Sequence, residues 1–347
     1  MNTRYGVLIV DDSAFMRRAI SLLFEGEPDF YIVGIARNGE EAIEKANRFK
    51  PHVITMDIEM PEMDGLTALE EIVKTSKTPV VMLSTQTEDG ADATIKALAI
   101  GAVDFYPKGD LLKDPVDPEM IKGFLQRVRT AARAKVRVGM LAEEVEAAQQ
   151  FPVQRKDPRV GMLIIGCSTG GPSALQCILP RLPKDFPAGV VVIQHMPPGF
   201  TKPLADRFNQ LCQLSVKEAE NGDIPQPGMV LVASAGFQTE FHSGPDGIIR
   251  LKVSEDGGRH LYKPSVDVTL LSAAPLYREK LLVSILTGMG SDGLEGCRLV
   301  KKFEGTVLSE AEESCVVYGM PKVVFEAGLS DRQVSLSNMF PSILSYV

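Results

Sequence analysis

A serine set among glycines opens the second half of the chain, in Leu163-Ile164-Ile165-Gly166-Cys167-Ser168-Thr169-Gly170-Gly171-Pro172. Gly166-x-Ser168-x-Gly170 fits a tight strand-to-helix turn that exposes a hydroxyl, because glycine accepts positive φ and close backbone approach. Pro172 suits the first turn of a following helix, whose N-terminus would face the same spot and favour an oxyanion. A glycine-rich turn cradling a phosphate reads the same locally. A serine nucleophile needs a base, and the chain has four histidines. His52 lies in the first third, and His242 and His260 fall in loops without a strand-end setting. His195 directly follows the apolar run Val190–Ile193, in Gln194-His195-Met196-Pro197-Pro198-Gly199. An acid that orients the imidazole would complete the set. Asp292, in Thr287-Gly288-Met289-Gly290-Ser291-Asp292-Gly293, is one candidate and Asp267, in Lys263-Pro264-Ser265-Val266-Asp267, the other. A glycine-flanked aspartate is also a common plain turn.

A second set lies in the first third. Asp11-Asp12 follow one short apolar run, Asp57 ends another, Ser84 a third, and Lys108 a fourth. Either of the first two aspartates could simply cap the helix beginning near Ser13. Helix capping does not account for carboxylates, a hydroxyl and an ammonium all falling at strand ends. Clustered carboxylates repel one another and suit a hard cation such as Mg²⁺. A carboxylate beside that cation, with a lysine and a hydroxyl in reach, can accept a phosphoryl group.

The elements that must position these groups are legible in the pattern. Val7–Val10, Tyr31–Ile35, Val53–Met56, Pro79–Leu83 and Val103–Tyr106 have strand length and composition. Phe15, Ala19, Leu22 and Leu23 recur at helical spacing between them, as do Ile121, Phe124, Leu125 and Val128. Apolar strands alternating with helices imply a parallel sheet covered on both faces. From about Thr130 to Arg159 the chain turns rich in Ala, Glu, Arg and Gln and breaks at Pro152 and Pro158, the expected linker, partly helical. A second series follows: strands at Met162–Ile165, Val190–Ile193, Met229–Ala233, Ile248–Val253 and Leu281–Leu286, with helices at Ser173–Leu179 and Leu204–Leu211. This domain is again α/β, with a mixed or parallel sheet.

With 347 residues, 44% hydrophobic and 24% charged, the chain has enough apolar material for two domains. Its formal net charge of −8 disfavours nucleic acid, and its most basic stretch, Arg127 to Arg137, is interrupted and followed by glutamates. The five cysteines are scattered and form no C-x-x-C pair, which points to a reducing compartment. No signal-peptide pattern precedes Val7, and no apolar run approaches the ~20 residues that span a bilayer. A cytoplasmic protein with no direct membrane insertion is expected.

Residues 1–125 resemble a response-regulator receiver domain, on Asp11-Asp12, Asp57 in D-I-E-M-P-E-M-D-G, Ser84 and Lys108. The resemblance implies a flavodoxin-like fold with a five-stranded parallel sheet. It further implies phosphorylation of Asp57 by a histidine kinase, and Mg²⁺ bound by Asp12, Asp57 and the backbone carbonyl of Glu59. Ser84 and Phe105 would be the switch pair, beside Lys108 and the acidic pocket residue Asp11. In the family, proline usually follows the lysine; here Pro107 precedes it and Gly109 follows. Residues 158–347 resemble the catalytic domain of the chemotaxis protein-glutamate methylesterases (the CheB family), on I-G-C-S-T-G-G-P, Q-H-M-P-P-G-F-T, K-P-S-V-D-V, L-T-G-M-G-S-D-G and S-C-V-V-Y-G-M-P. The order Ser–His–Asp differs from that of α/β-hydrolases. The resemblance implies a mostly parallel sheet and Ser168 as nucleophile, His195 as base and Asp292 as orienting acid. The backbone N–H groups of Thr169 and Met289 would form the oxyanion hole. Cys167 stands where the family has a small residue. The implied substrate is a methylated chemoreceptor, the phosphodonor a CheA-type histidine kinase, and receptor deamidation a second activity, with no cofactor for the esterase. Residues 126–157 would link a receiver that inhibits the esterase until phosphorylated.

Overall fold

The computed structural model describes residues 4–85, 87–111, 117–134 and 160–347. The chain divides into two compact units, Met1–Gly139 and Met140–Val347.

In the first unit the strands are β1 (Tyr5–Val10), β2 (Phe30–Ala36), β3 (Val53–Asp57), β4 (Val80–Ser84) and β5 (Asp104–Pro107). They pair in the order β2-β1-β3-β4-β5, all parallel. β1, β3 and β4 are buried along their whole length, as apolar strands between two helical layers must be. The helices are α1 (Ala14–Glu25), α2 (Gly39–Phe49), α3 (Gly65–Thr75), α4 (Glu88–Ile100) and α5 (Pro118–Ala131). The chain leaves β1 for β2 on one side and returns to β3 on the other. The carboxyl ends of β1 and β3 therefore flank the crevice where open sheets bind ligands.

Two helices add detail that the apolar spacing does not carry. α1 is where expected, but its inward stripe is Met16, Ile20 and Phe24, while Phe15 and Leu22 are exposed. A period of 3.6 accommodates stripes offset by one residue, and the contact with the sheet selects between them. α5 runs to Ala131, past residue 125, because Val128 and Ala131 are still buried. Arg129 continues the attachment, donating to Asp29 at 2.5 Å and Glu27 at 3.0 Å. Most of the expected linker, residues 135–157, lies outside the described residues.

The second unit carries seven strands in one sheet: β6 (Met162–Cys167), β7 (Gly189–Gln194), β8 (Ser215–Glu218), β9 (Met229–Val232), β12 (Leu281–Ile285), β13 (Thr306–Glu310) and β14 (Arg332–Val334). Their order is β14-β13-β12-β6-β7-β9-β8, and every pair is parallel. β10 (Gln238–Ser243) and β11 (Ile249–Ser254) form a separate antiparallel hairpin. The helices are α6 (Gly171–Gln176), α7 (Thr201–Leu211), α8 (Val266–Tyr277), α9 (Leu294–Lys302), α10 (Met320–Glu326) and α11 (Leu336–Leu344). α6 begins two residues before the expected Ser173 and ends at Gln176. Val191, Ile193, Leu231, Val283 and Ile285 from the sheet pack with Val266, Leu270 and Ala273 of α8 in one core. The switch point falls at β6, with β7 on one side and β12 on the other. Their carboxyl ends lie side by side.

Candidate active site and phosphoryl-acceptor pocket

Cys167 ends β6, and Ser168 begins the turn into α6. Gly170 adopts φ +79°, and a Cβ there would meet Val316 at 2.7 Å, so the turn needs glycine for both conformation and space. Ser168 is almost buried, at 9% exposure. His195 follows β7, one strand over, and its backbone N–H donates to Cys167 O at 3.0 Å. Asp292 lies in the loop after β12, the opposite neighbour of β6.

His195 Nε2 and Asp292 Oδ2 are 2.7 Å apart, both groups buried. The same carboxylate accepts Val266 N–H at 2.7 Å on Oδ2, and Asp267 N–H at 3.0 Å and Ser265 O–H at 2.8 Å on Oδ1. It therefore holds the first turn of α8, where two N–H groups lack intrahelical partners and the helix dipole favours an anion. Burial works to raise the Asp292 pKa, but the bonds from His195 and the two backbone N–H groups outweigh it and hold the carboxyl below its usual range. Asp267 makes no such contact. Its carboxylate accepts Gly296 N–H at 2.7 Å, and burial pushes its carboxyl up to about 6.

With Nε2 committed to Asp292, His195 Nδ1 is buried and has no hydrogen-bond partner among the described residues. The imidazole lies face to face with Tyr262, ring centroids 4.3 Å apart and planes 3° off parallel. Ser168 N–H donates to Thr287 O at 3.0 Å. A Cβ at Gly288 would fall 2.8 Å from Ser168 Cβ, so the loop after β12 sits directly against the serine. Thr169 accepts Thr287 O–H at its carbonyl, at 3.0 Å, and Met289 follows Gly288. The Cys167 thiol is wholly buried, burial pushes its pKa far up, and it donates to Gln194 Oε1 at 3.0 Å. It is a packing group with no thiolate character.

Gln194, Tyr262 and Thr287 escaped the sequence reading. Gln194, 2% exposed, donates from Nε2 to the carbonyls of both Ser168 and His195 at 3.0 Å, tying the two loops together. Its place before His195 was the available signal. His242 lies within β10 rather than in a loop. His260 pairs through Nδ1 with the buried Asp256 at 2.5 Å. His52 accepts Gly6 N–H at Nδ1 in the first unit, at 2.9 Å.

In that unit Asp11, Asp12 and Asp57 bring carboxylate oxygens within 4.8 Å of one another. Lys108 Nζ lies 2.9 Å from Asp11 and 2.5 Å from Asp57, so the Pro-Lys-Gly order leaves the ammonium in the pocket. Burial pushes the Asp57 carboxyl up to about 6, with Asp11 adding to the shift and Lys108 and a Glu59 backbone bond opposing it. Asp11 Oδ1 accepts Ser13 N–H, while its buried Oδ2 touches Lys108 without a hydrogen bond of good geometry. Three converging carboxylates fit a hard divalent cation. Ser13 is the residue that caps α1. Ser84 Oγ turns to Gly90 O and Thr94 Oγ1 in α4, and Phe105 is already inside at 2% exposure.

Ser168, His195 and the buried Asp292 stand at the ends of adjacent strands, an arrangement that suits serine-hydrolase chemistry, on a chain whose first unit gathers Asp11, Asp12, Asp57 and Lys108 at the strand ends of a five-stranded parallel sheet. The CheB methylesterase family model matches residues 163–343, and the response regulator receiver domain model residues 7–114. The protein-glutamate methylesterase/protein-glutamine glutaminase of Aliivibrio fischeri is 42% identical, over 97% of each chain. That of Symbiobacterium thermophilum is 44% identical, over 97% of this chain and 95% of its own. The crystal structure of the Thermotoga maritima CheB methylesterase catalytic domain aligns with TM-score 0.53 and 42% identity, covering 54% of this chain and 99% of that one. The chain belongs to the CheB methylesterase family and carries a response-regulator receiver domain.

Proposed function

We propose that this protein hydrolyses glutamate methyl esters on a methylated chemoreceptor, and deamidates receptor glutamines, under the control of phosphorylation at Asp57. The observation that carries the esterase reading is the buried His195–Asp292 pair, held one strand from Ser168 with Nδ1 unpartnered. In this mechanism Ser168 Oγ attacks the ester carbonyl carbon and gives its proton to Nδ1. Asp292 keeps the proton on Nε2 and stabilises the imidazolium. The carbonyl electron pair moves to oxygen, and the backbone N–H groups of Thr169 and Met289 hold the oxyanion, a donor of this kind being worth ~10²–10³ in rate. Collapse breaks the bond to the methoxy oxygen, which takes the Nδ1 proton and leaves as methanol. Water then adds to the acyl-enzyme, its proton passing through Nδ1 to Ser168, and the glutamate carboxylate is released. With a glutamine side chain the leaving group is ammonia.

In the receiver, Asp57 would accept the phosphoryl group from a CheA-type histidine kinase, with Lys108 facing its oxygens and Ser84 and Phe105 responding. Asp12, Asp57 and the Glu59 carbonyl would hold Mg²⁺, whose charge offsets that of the transferred group. The receiver would comprise residues 1–125 and the rest of α5, the catalytic domain residues 158–347, and the protein would act in the cytoplasm. Among the described residues no helix is long and apolar enough to cross a membrane. Incubation with methylated receptor should release methanol, faster with a small phosphodonor. No methanol above the Ser168→Ala background would overturn the reading.

A further inference from the structure

Glu310 ends β13 and is fully buried. Among the described residues no cationic side chain offsets it; burial pushes its carboxyl up to about 7, against bonds from Thr287 N–H and Ser314 O–H. Such groups are rarely kept inside a fold without a partner of opposite charge. Its two oxygens accept from Thr287 N at 2.8 Å and from Ser314 Oγ at 3.0 Å.

Thr287 in turn is the hub of the nucleophile turn. Its carbonyl accepts Ser168 N–H at 3.0 Å. Its hydroxyl donates to Thr169 O at 3.0 Å and accepts Val317 N–H at 2.9 Å. Val317 O receives Gly288 N–H, and Gly288 packs against Ser168. The carboxylate thus sits one residue removed from the bonds that Thr287 makes to Ser168, Thr169 and Val317. Among the described residues no other side chain accepts the Thr287 N–H, so an apolar residue at 310 would leave a buried donor without a partner.

We infer that Glu310 is a positioning residue for the hydrolytic site, acting through Thr287 to hold the backbone of Ser168 and Thr169. The inference rests on the esterase reading above. Displacing a nucleophile by about 1 Å can cost on the order of 10²-fold in rate, and substrate affinity need not change with it. A residue that only joined β12 to β13 would show otherwise: its loss would lower the melting temperature while leaving turnover per folded molecule intact.

The test uses the full chain with Glu310→Met, Glu310→Gln and Thr287→Val. Methanol release gives kcat and KM, a serine-directed fluorophosphonate gives the acylation rate of Ser168, and circular dichroism gives the folded fraction. Glutamine can present its carbonyl to Thr287 N–H and its amide to Ser314 Oγ, so kcat should stay within about threefold of the parent. Methionine cannot, and kcat and acylation should fall together by at least about tenfold while KM holds. Thr287→Val keeps the shape, removes the bridge to Thr169, and should lower kcat at least about fivefold, again with KM unchanged. A folded Glu310→Met with kcat within about threefold of the parent would overturn the inference, as would a Glu310→Gln as impaired as the methionine variant. Should Glu310→Met not fold, Thr287→Val at full kcat or an inactive Glu310→Gln would overturn it. A parent enzyme that is acylated normally yet releases no methanol would refute the receptor substrate alone, and the acylation rates would still decide the role of Glu310.

Discussion

Replacing Asp292 by asparagine separates charge from shape at the centre of the site. Both carboxylate oxygens accept a backbone N–H, Val266 on one and Asp267 on the other. The better asparagine rotamer keeps its carbonyl on His195 Nε2 and Val266 N–H. It then turns its amide to Ser265 Oγ, which can accept, and to Asp267 N–H, which cannot. One bond is lost, at a cost to folding of about 1–3 kcal/mol. The catalytic cost is larger, because the imidazolium formed during turnover loses its counter-charge. The nitrogen and oxygen are 2.7 Å apart, which puts the charge centres at about 4 Å. At an effective dielectric constant of about 20 the pair is worth about 4 kcal/mol, or on the order of 10³-fold in kcat. The corresponding change in a serine protease, where the wrong imidazole tautomer also contributes, costs ~10⁴. The measurement is kcat for methanol release per folded molecule, with Asp267→Asn in parallel. Asp267 touches Gly296 N–H and not His195, so its substitution should act on stability. Turnover of Asp292→Asn within about tenfold of the parent, with Asp267→Asn the more damaging, would refute the assignment of the acid.

Ser168→Ala should fold and lose fluorophosphonate labelling and methanol release, while Cys167→Ala, which deletes only a buried thiol, should keep most activity; the opposite pair of outcomes would move the nucleophile. Glu310→Gln should also alter the pH dependence of stability. The native carboxyl, raised to about 7 from 4.5, keeps its proton where the unfolded chain has lost it, so the parent loses stability as pH rises from 4.5 through 7. The variant's advantage in denaturant unfolding should therefore grow by about 3 kcal/mol between pH 4.5 and 8, and a gap independent of pH would contradict this. A fragment of residues 160–347 should outpace the unphosphorylated full chain, and Asp57→Ala should abolish the response to phosphodonor. Equal rates for fragment and chain, with no effect of phosphodonor, would argue against receiver control.

Much of this protein is legible in its sequence. Short apolar runs between amphipathic stretches locate β1, β3, β4, β5, β6, β7, β9 and β12, since a strand buried on both faces must be apolar throughout, and they locate the partly exposed edge strand β2 as well. The turn around Ser168 announced itself through glycines, and Asp11, Asp12, Asp57, Ser84 and Lys108 through their places at strand ends. These are local signals. Which face of α1 turns inward, and which nitrogen of His195 meets the acid, depend on what packs opposite and leave no local mark. The choice between Asp292 and Asp267 was of the same kind. Asp267 looked eligible because it stands in a strong motif, yet in the fold its backbone N–H serves Asp292 while its side chain turns to Gly296. Glu310 and Thr287 leave no local mark because the bonds through which they reach the site join residues 23 or more positions apart, and Gln194 is marked only by its place before His195. A residue's type says what bonds it can make; only the tertiary structure decides which partner arrives.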